Sequence, residues 1–253
     1  MRVLILGGTM EARQLAERVA KRSDLAVTLS LAGRTTAPVS QPVPVRVGGF
    51  GGAQGLVDYL LGQKIDVLVD ATHPYAAMIS SNAAVAAPRA RVALLALRRP
   101  GWTPIPGDRW IEVGHVASAV ETLGNVSRCV FLALGRKEIW PFADAPQHRY
   151  LVRSVDPIVP PLAVPHAVYI TGRGPFAEAD ERAMLERHHI DVIVAKNSGG
   201  PATYGKIAAA RALGLPVIML RRPPLPEVEA VETVDDAVAW LDHMSALATA
   251  RGV

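Results

Sequence analysis

A single cysteine, Cys129, stands in 253 residues, so no internal disulfide can form; it opens an apolar stretch and reads as a small core residue rather than a nucleophile. No cluster of Cys and His has the spacing of a structural metal site, and no metal is expected. No apolar run approaches the ~20 residues that cross a bilayer, and Met1-Arg2 lead directly into a strand rather than a signal peptide. The expectation is a soluble cytoplasmic protein without a membrane partner. Aromatics are only 5% of the chain and lysine is scarce, with 22 Arg to 5 Lys. Although the net charge is +4, the basic residues are dispersed, with no basic stripe or tail interleaved with aromatics, and no nucleic-acid partner is expected. Arginine in turns at strand ends suits small-molecule carboxylates and phosphates instead.

What the chain has is an apolar run, Val3-Leu4-Ile5-Leu6, that turns through Gly7-Gly8-Thr9-Met10-Glu11-Ala12-Arg13 into helical sequence. A buried strand turning tightly into a helix leaves backbone N–H groups and a positive helix end at the turn, a ready phosphate site. Thr9 and Ala12 replace two glycines of the full dinucleotide fingerprint. The turn alone therefore fits a plain strand-turn-helix opening as well as a cofactor site.

The chain is also written twice. Ile65 to Asp70 is echoed by Ile190 to Ala195, Arg98-Arg99-Pro100 by Arg221-Arg222-Pro223, and Val3 to Glu11 by Val130 to Glu138, at an offset of about 125 residues, far beyond solenoid periods. The first copy reads as strands at 3–7, 25–31, 43–47, 66–70, 92–97 and 110–113, with helices at 10–22, 53–62, 75–87 and 115–123. Alternation of this kind predicts an α/β fold of two similar Rossmann-like domains with mainly parallel sheets. The boundary is placed at Gly124-Asn125-Val126-Ser127-Arg128, giving a cofactor-binding domain over 1–124 and a second α/β domain over 125–253, with the crossing of a terminal strand or helix back to its neighbour left open. Ligands gather at strand C-terminal ends and between domains, so the active site is expected in the cleft between the halves.

Where the copies differ at strand ends, specialisation is expected. His73, held extended before Pro74, is a general-acid candidate or a plain loop residue, and Tyr75 stacks on a ligand or simply packs. Asp70 reads equally as a cap for the following turn. Lys196-Asn197-Ser198-Gly199-Gly200 offers an ammonium, an amide and a hydroxyl beside a helix start, which suits an anion. Thr171-Gly172-Arg173-Gly174 makes a further phosphate or carboxylate turn. Arg34 stands where an arginine accepts a 2′-phosphate, favouring NADP over NAD. Gly48-Gly49-Phe50-Gly51-Gly52 is a close-approach loop or an ordinary flexible turn.

Taken together, Gly7-Gly8-Thr9-x-Glu11-Ala12-Arg13, the 48–52 glycines, Asp70-Ala71-Thr72-His73-Pro74-Tyr75-Ala76, Arg99-Pro100-x-Trp102, Thr171-Gly172-Arg173-Gly174-x-Phe176 and Lys196 to Gly200 resemble the precorrin-6A reductase family of cobalamin biosynthesis, across essentially the whole chain. The resemblance implies an NADPH-dependent oxidoreductase of porphyrin-type metabolism that saturates one carbon-carbon double bond of precorrin-6A to give precorrin-6B. It implies a tetrapyrrole-derived macrocyclic polycarboxylate as substrate and hand-over to neighbouring pathway enzymes. On this reading Gly7, Gly8, Thr9, Glu11, Ala12, Arg13, Arg34, Thr72, Pro74, Lys137, Asn197, Ser198 and Gly199 bind the cofactor, while Gly49, Phe50, Arg173 and Lys206 bind substrate. His73, Tyr75 and Lys196 are the candidates for protonation, with bulk water as the alternative. A cobalt-precorrin-6A reductase and a two-lobed small-anion binding protein are the competing readings. A short-chain dehydrogenase is disfavoured because neither Tyr75 nor Tyr204 is followed four residues later by lysine.

Overall fold

A computed structural model describes residues 1–33 and 40–250. The chain folds as two units, residues 1–100 with 223–253, and residues 101–222. The first unit holds β1 (Arg2–Leu6), α1 (Met10–Val19), β2 (Ala26–Leu31), β3 (Val45–Val47), α2 (Gly52–Gly62), β4 (Val67–Asp70), α3 (Ala77–Ala90) and β5 (Ala93–Leu97). The second holds β6 (Arg109–Val113), α4 (Val116–Leu123), β7 (Cys129–Ala133), a 3-10 helix (Trp140–Asp144), β8 (Arg149–Ser154), β9 (Ala167–Thr171), α5 (Glu178–Arg187), β10 (Val192–Lys196), α6 (Gly205–Ala212) and β11 (Pro216–Leu220). The chain then returns to the first unit as β12 (Ala230–Val231) and α7 (Val234–Ala250).

Each unit is one six-stranded parallel sheet, in the orders β12-β5-β4-β1-β2-β3 and β6-β11-β10-β7-β8-β9. The two orders are the same once repeat-equivalent strands are matched. Strands buried on both faces read as continuous apolar runs, as Val3 to Leu6 and Val192 to Ala195 do. In the first sheet one face packs α1 and α7 through Leu15, Val19, Ala237 and Leu241, and the other packs α2 and α3 through Leu56, Leu60, Ala83 and Ala87.

The division differs from the boundary expected at residue 124. The sixth strand of each sheet comes from the other repeat: β6 pairs with β11, and β12 pairs with β5. Each repeat ends in a short strand and a helix that complete the partner sheet instead of their own, and the chain crosses at 100/101 and 222/223, just after or within each Arg-Arg-Pro. Periodicity marks strands but not the sheet they join, so it leaves this exchange undecided.

Two local expectations also change. The helix expected from Tyr75 begins at Ala77, because the Tyr75 N–H is taken by His73 Nδ1 (3.3 Å) and the Ala76 N–H by the His73 carbonyl (2.7 Å). After Gly135 the second repeat makes a turn and the five-residue 3-10 helix, not a counterpart of α1.

Candidate functional site

In each sheet the order reverses beside the first strand of its repeat, between β1 and β4 and between β7 and β10. At such a reversal the connections after the two neighbouring strands leave toward opposite faces of the sheet, as α1 and α3 do in the first unit, and open a crevice past the carboxyl ends, the usual ligand position in such sheets. Both crevices are bridged by a side chain. In the first unit Thr9 Oγ1 donates to the Ala71 carbonyl (2.7 Å), tying the loop after β1 to the loop after β4. In the second, Lys196 Nζ at the end of β10 lies 2.6 Å from Glu138 Oε1 in the turn after β7.

The first crevice is shaped by glycine and a cap. A Cβ on Gly7 would lie 2.6 Å from Leu29 Cδ1, so a side chain there would have to push Leu29 aside. Gly8 has φ +112, which favours glycine, and the space beside it is open. Thr9 is the N-cap of α1: its hydroxyl accepts the Ala12 N–H (3.1 Å) and its carbonyl accepts the Arg13 N–H (3.3 Å). The first four helix N–H groups lack intrahelical partners; with Thr9 serving the Ala12 and Arg13 N–H groups, those of Met10 and Glu11 stand at the helix mouth. Glu11 would oppose an anion there, but Arg99 Nη1 sits 2.5 Å from its carboxylate and both side chains are mostly buried. Ala12 is buried and its N–H is spent on Thr9, so it packs instead of binding. Arg13 pairs on the surface with Glu17 (2.9 Å). Arg34 lies outside the described residues.

The segment after β4 is built on Asp70, only 4% exposed, whose Oδ1 accepts the Thr72 N–H (3.2 Å) and hydroxyl (2.7 Å). Asp70 thus has the capping role, and the Thr72 hydroxyl is turned inward. Pro74 is buried, while His73 and Tyr75 are half-buried with ring centroids 5.7 Å apart. Since Nδ1 of His73 accepts from the Tyr75 N–H, its neutral ring carries the proton on Nε2. In the glycine loop, Arg46 donates to the carbonyls of Gly48 (2.5 Å) and Gly49 (2.7 Å) and stacks 3.8 Å over Phe50. Phe50 also packs edge-on against Tyr59 and the core beneath α2. Gly49 is exposed with open space at its Cβ position and has no positive φ.

In the second unit several expected ligands serve the loop itself. The Asn197 amide is engaged at both ends by the backbone of Trp102, Oδ1 accepting its N–H (2.7 Å) and Nδ2 donating to its carbonyl (2.8 Å). Gly199 is buried and has φ +68; Ser198 is half-buried, its N–H bonded to the Lys196 carbonyl (2.8 Å). Lys137 and Arg173 are exposed, in the turn after β7 and after β9.

Lys206, expected to meet substrate, is 4% exposed. Its Nζ donates to the Thr203 carbonyl (2.5 Å) and lies 4.9 Å from the Trp102 ring centroid. Beside it Arg153 makes a buried two-point pair with Glu181, stacked 3.8 Å over Phe176. Burial, then the Arg153 charge, push the Lys206 ammonium down from 10.5 to about 7, with Glu181 opposing. Lys206 is a buried group in a cluster of two cations and one carboxylate, not a residue presented at the strand ends. Sequence reading missed Arg46, Arg153, Glu181 and Arg222. The available signals were Arg153 itself, a charge directly after the apolar run Tyr150-Leu151-Val152, and Arg222 in the echoed Arg-Arg-Pro.

Among the described residues no group of three or more His, Cys, Asp or Glu could hold a metal, and no helix is long and apolar enough to cross a membrane.

Residues 2–242 match the family model described as precorrin-6x reductase CbiJ/CobK. A precorrin-6A reductase from Sinorhizobium sp is 57% identical over 242 residues, covering 96% of this chain and 93% of the relative. A cobalt-precorrin-6A reductase from Priestia megaterium is 26% identical over 247 residues, covering 93% and 96%. The solved structure titled CobK precorrin-6A reductase superposes with a TM-score of 0.92 at 45% identity, covering 96% of each chain. With the doubled six-stranded parallel fold, the glycine turn into α1 and a match along nearly its whole length, the chain belongs to the precorrin-6x reductase CbiJ/CobK family.

Proposed function

We propose that this chain reduces one carbon-carbon double bond of precorrin-6A to give precorrin-6B, with NADPH as reductant. The open mouth of α1 carries this reading. Gly8 offers room, the Met10 and Glu11 N–H groups face outward by helix geometry, and Arg99 cancels the one acidic side chain in the first turn. A pyrophosphate fits that donor set. Greater likeness to the cobalt-free reductase than to the cobalt-precorrin-6A reductase supports the metal-free substrate.

When bound, NADPH supplies the hydride. The residues of this chain then have two tasks. The α1 mouth and Arg99 hold the diphosphate, with Thr9 shaping the turn through its two bonds; Arg34 is assigned to the 2′-phosphate from sequence position alone. His73, once protonated by solvent to the imidazolium, gives one proton to the carbon next to the one that receives hydride and returns to the neutral ring, so that two hydrogens add across the double bond. Tyr75 fixes the His73 ring through its N–H. Lys196, the 197–200 loop, Lys137 and Arg173 provide cationic and amide groups for the acetate and propionate edge of the macrocycle or for phosphate. General acid catalysis contributes roughly 10²–10⁴-fold, so His73→Ala is expected to slow turnover within that range while nicotinamide binding persists.

The test is to mix the purified chain with precorrin-6A and NADPH, following nicotinamide absorbance and the macrocycle spectrum. One NADPH consumed per macrocycle, with NADPH preferred to NADH, is expected. Failure to bind either nicotinamide, read by its fluorescence, refutes the proposal.

A further inference from the structure

The loop after β10 is gripped from two places. Trp102 holds the Asn197 amide at both ends and also donates its indole Nε1–H to the Gly200 carbonyl (2.9 Å). Arg222 donates Nε to the Asn197 carbonyl (2.9 Å) and Nη2 to the Ser198 carbonyl (3.1 Å). Three loop carbonyls are thereby fixed by two side chains. Gly199 and Gly200, at φ +68 and +71, give the segment little stiffness of its own. A peptide is planar and trans, so fixing the carbonyl of one residue turns the N–H of the next in the opposite direction. Holding the Ser198 carbonyl on Arg222 therefore points the Gly199 N–H away from Arg222.

The grips are themselves anchored. The Trp102 ring meets Tyr204 edge-on at 5.6 Å and has the Lys206 ammonium over it. Trp102 is the second residue of the 101–222 segment and Arg222 the last, so each stands beside a point where the chain leaves this unit.

We infer that Trp102 and Arg222 are positioning residues that set the 197–200 loop in its ligand-holding conformation, an assignment that rests on the proposed role of that loop in holding an anionic ligand group. Neither need touch substrate or cofactor. Asn197 is the third member: its side chain is a latch to Trp102.

The full-length chain tests this with Trp102→Phe, which keeps an aromatic ring but loses the indole N–H, and with Arg222→Ala and Arg222→Lys, the latter retaining charge without the two-point grip. Amide hydrogen exchange across 197–204 is expected to rise at least tenfold in Trp102→Phe and Arg222→Ala, with strand amides of both sheets unchanged. With precorrin-6A and NADPH, kcat/KM is expected to fall roughly ten- to a hundredfold while the melting temperature holds. The double variant should lose much less than the product of the single losses, because both act on one loop. If Arg222→Ala does not fold, Arg222→Lys and Trp102→Phe carry the test. Unchanged loop exchange in the folded variants overturns the inference. So does a loosened loop with kcat/KM within twofold of wild type. A wild type without turnover defeats the reductase reading instead, and the exchange measurement then decides the grip alone.

Discussion

Replacing Lys206 with methionine should change the sign of its effect on stability as pH rises. The ammonium is buried and pushed down to about 7 from 10.5 in the unfolded chain. Between those values the unfolded state holds a proton that the native state has lost, so stability rises with pH across this window; it is lowest below about pH 7, where both states are protonated and the folded protein carries the buried charge. Each pH step in the window is worth about 1.4 kcal/mol, so between pH 7 and 9 the wild type gains on the order of 2–3 kcal/mol, and the full penalty at pH 6 is about 5 kcal/mol. Methionine fills similar space and removes that penalty, but it leaves the Thr203 carbonyl without its donor, a loss of about 1–3 kcal/mol, and forfeits the ammonium over Trp102, worth about 1 kcal/mol. Lys206→Met is therefore expected to be more stable than wild type by about 1–3 kcal/mol at pH 6 and, because the wild type gains about 4 kcal/mol between pH 7 and 10, less stable by about 1–3 kcal/mol at pH 10, the two profiles crossing between. Urea midpoints at half-unit pH steps measure this directly. Parallel profiles would refute the reasoning, because a difference independent of pH means that the ammonium does not titrate in the folded protein.

Thr9→Ala removes both the cap of α1 and the tie to the Ala71 carbonyl; a loss of about 1–2 kcal/mol in urea and weaker NADPH binding by fluorescence titration are expected, whereas Thr9→Ser should retain most of both. Gly49→Ala should leave stability within about 0.5 kcal/mol, since nothing lies near the added Cβ and the backbone needs no positive φ, so a raised KM in steady-state assays would report a ligand passing close to Gly49. A protein of residues 101–222 should unfold cooperatively by circular dichroism, while residues 1–124, which leave β5 and β6 without β12 and β11, should not.

Strand positions and strand ends were largely legible. Val3 to Leu6 and Ile65 to Asp70 carry the apolar signal of strands covered on both faces, and the glycines and prolines that follow mark the turns. Whether a polar side chain is spent on the protein itself was not legible. Thr9, Asn197 and Lys206 look alike in sequence as donors beside a helix start, yet one caps a helix, one latches a loop to Trp102 and one is buried beneath the strand ends. Local sequence specifies neither partner, because Ala71 and Trp102 are brought near only by sheet order. Arg98-Arg99-Pro100 and Arg221-Arg222-Pro223 were visible as an echo; that they flank the crossings required knowing which edge β6 and β12 complete.

The exchanged strands also set an order of events at the ribosome. Residues 101–222 contain every strand of their own sheet, whereas the sheet begun by Arg2 waits for β12 near residue 230 and for α7 to cover one face. At synthesis rates of about 5–20 residues per second, the interval from residue 101 to 250 lasts roughly eight to thirty seconds. Throughout it β5 is an unpaired parallel edge, a natural template for aggregation. The segment translated first is thus the last to be finished, and a chaperone that shields the β5 edge would matter more to the yield of this protein than to that of a chain whose repeats close in the order they are made.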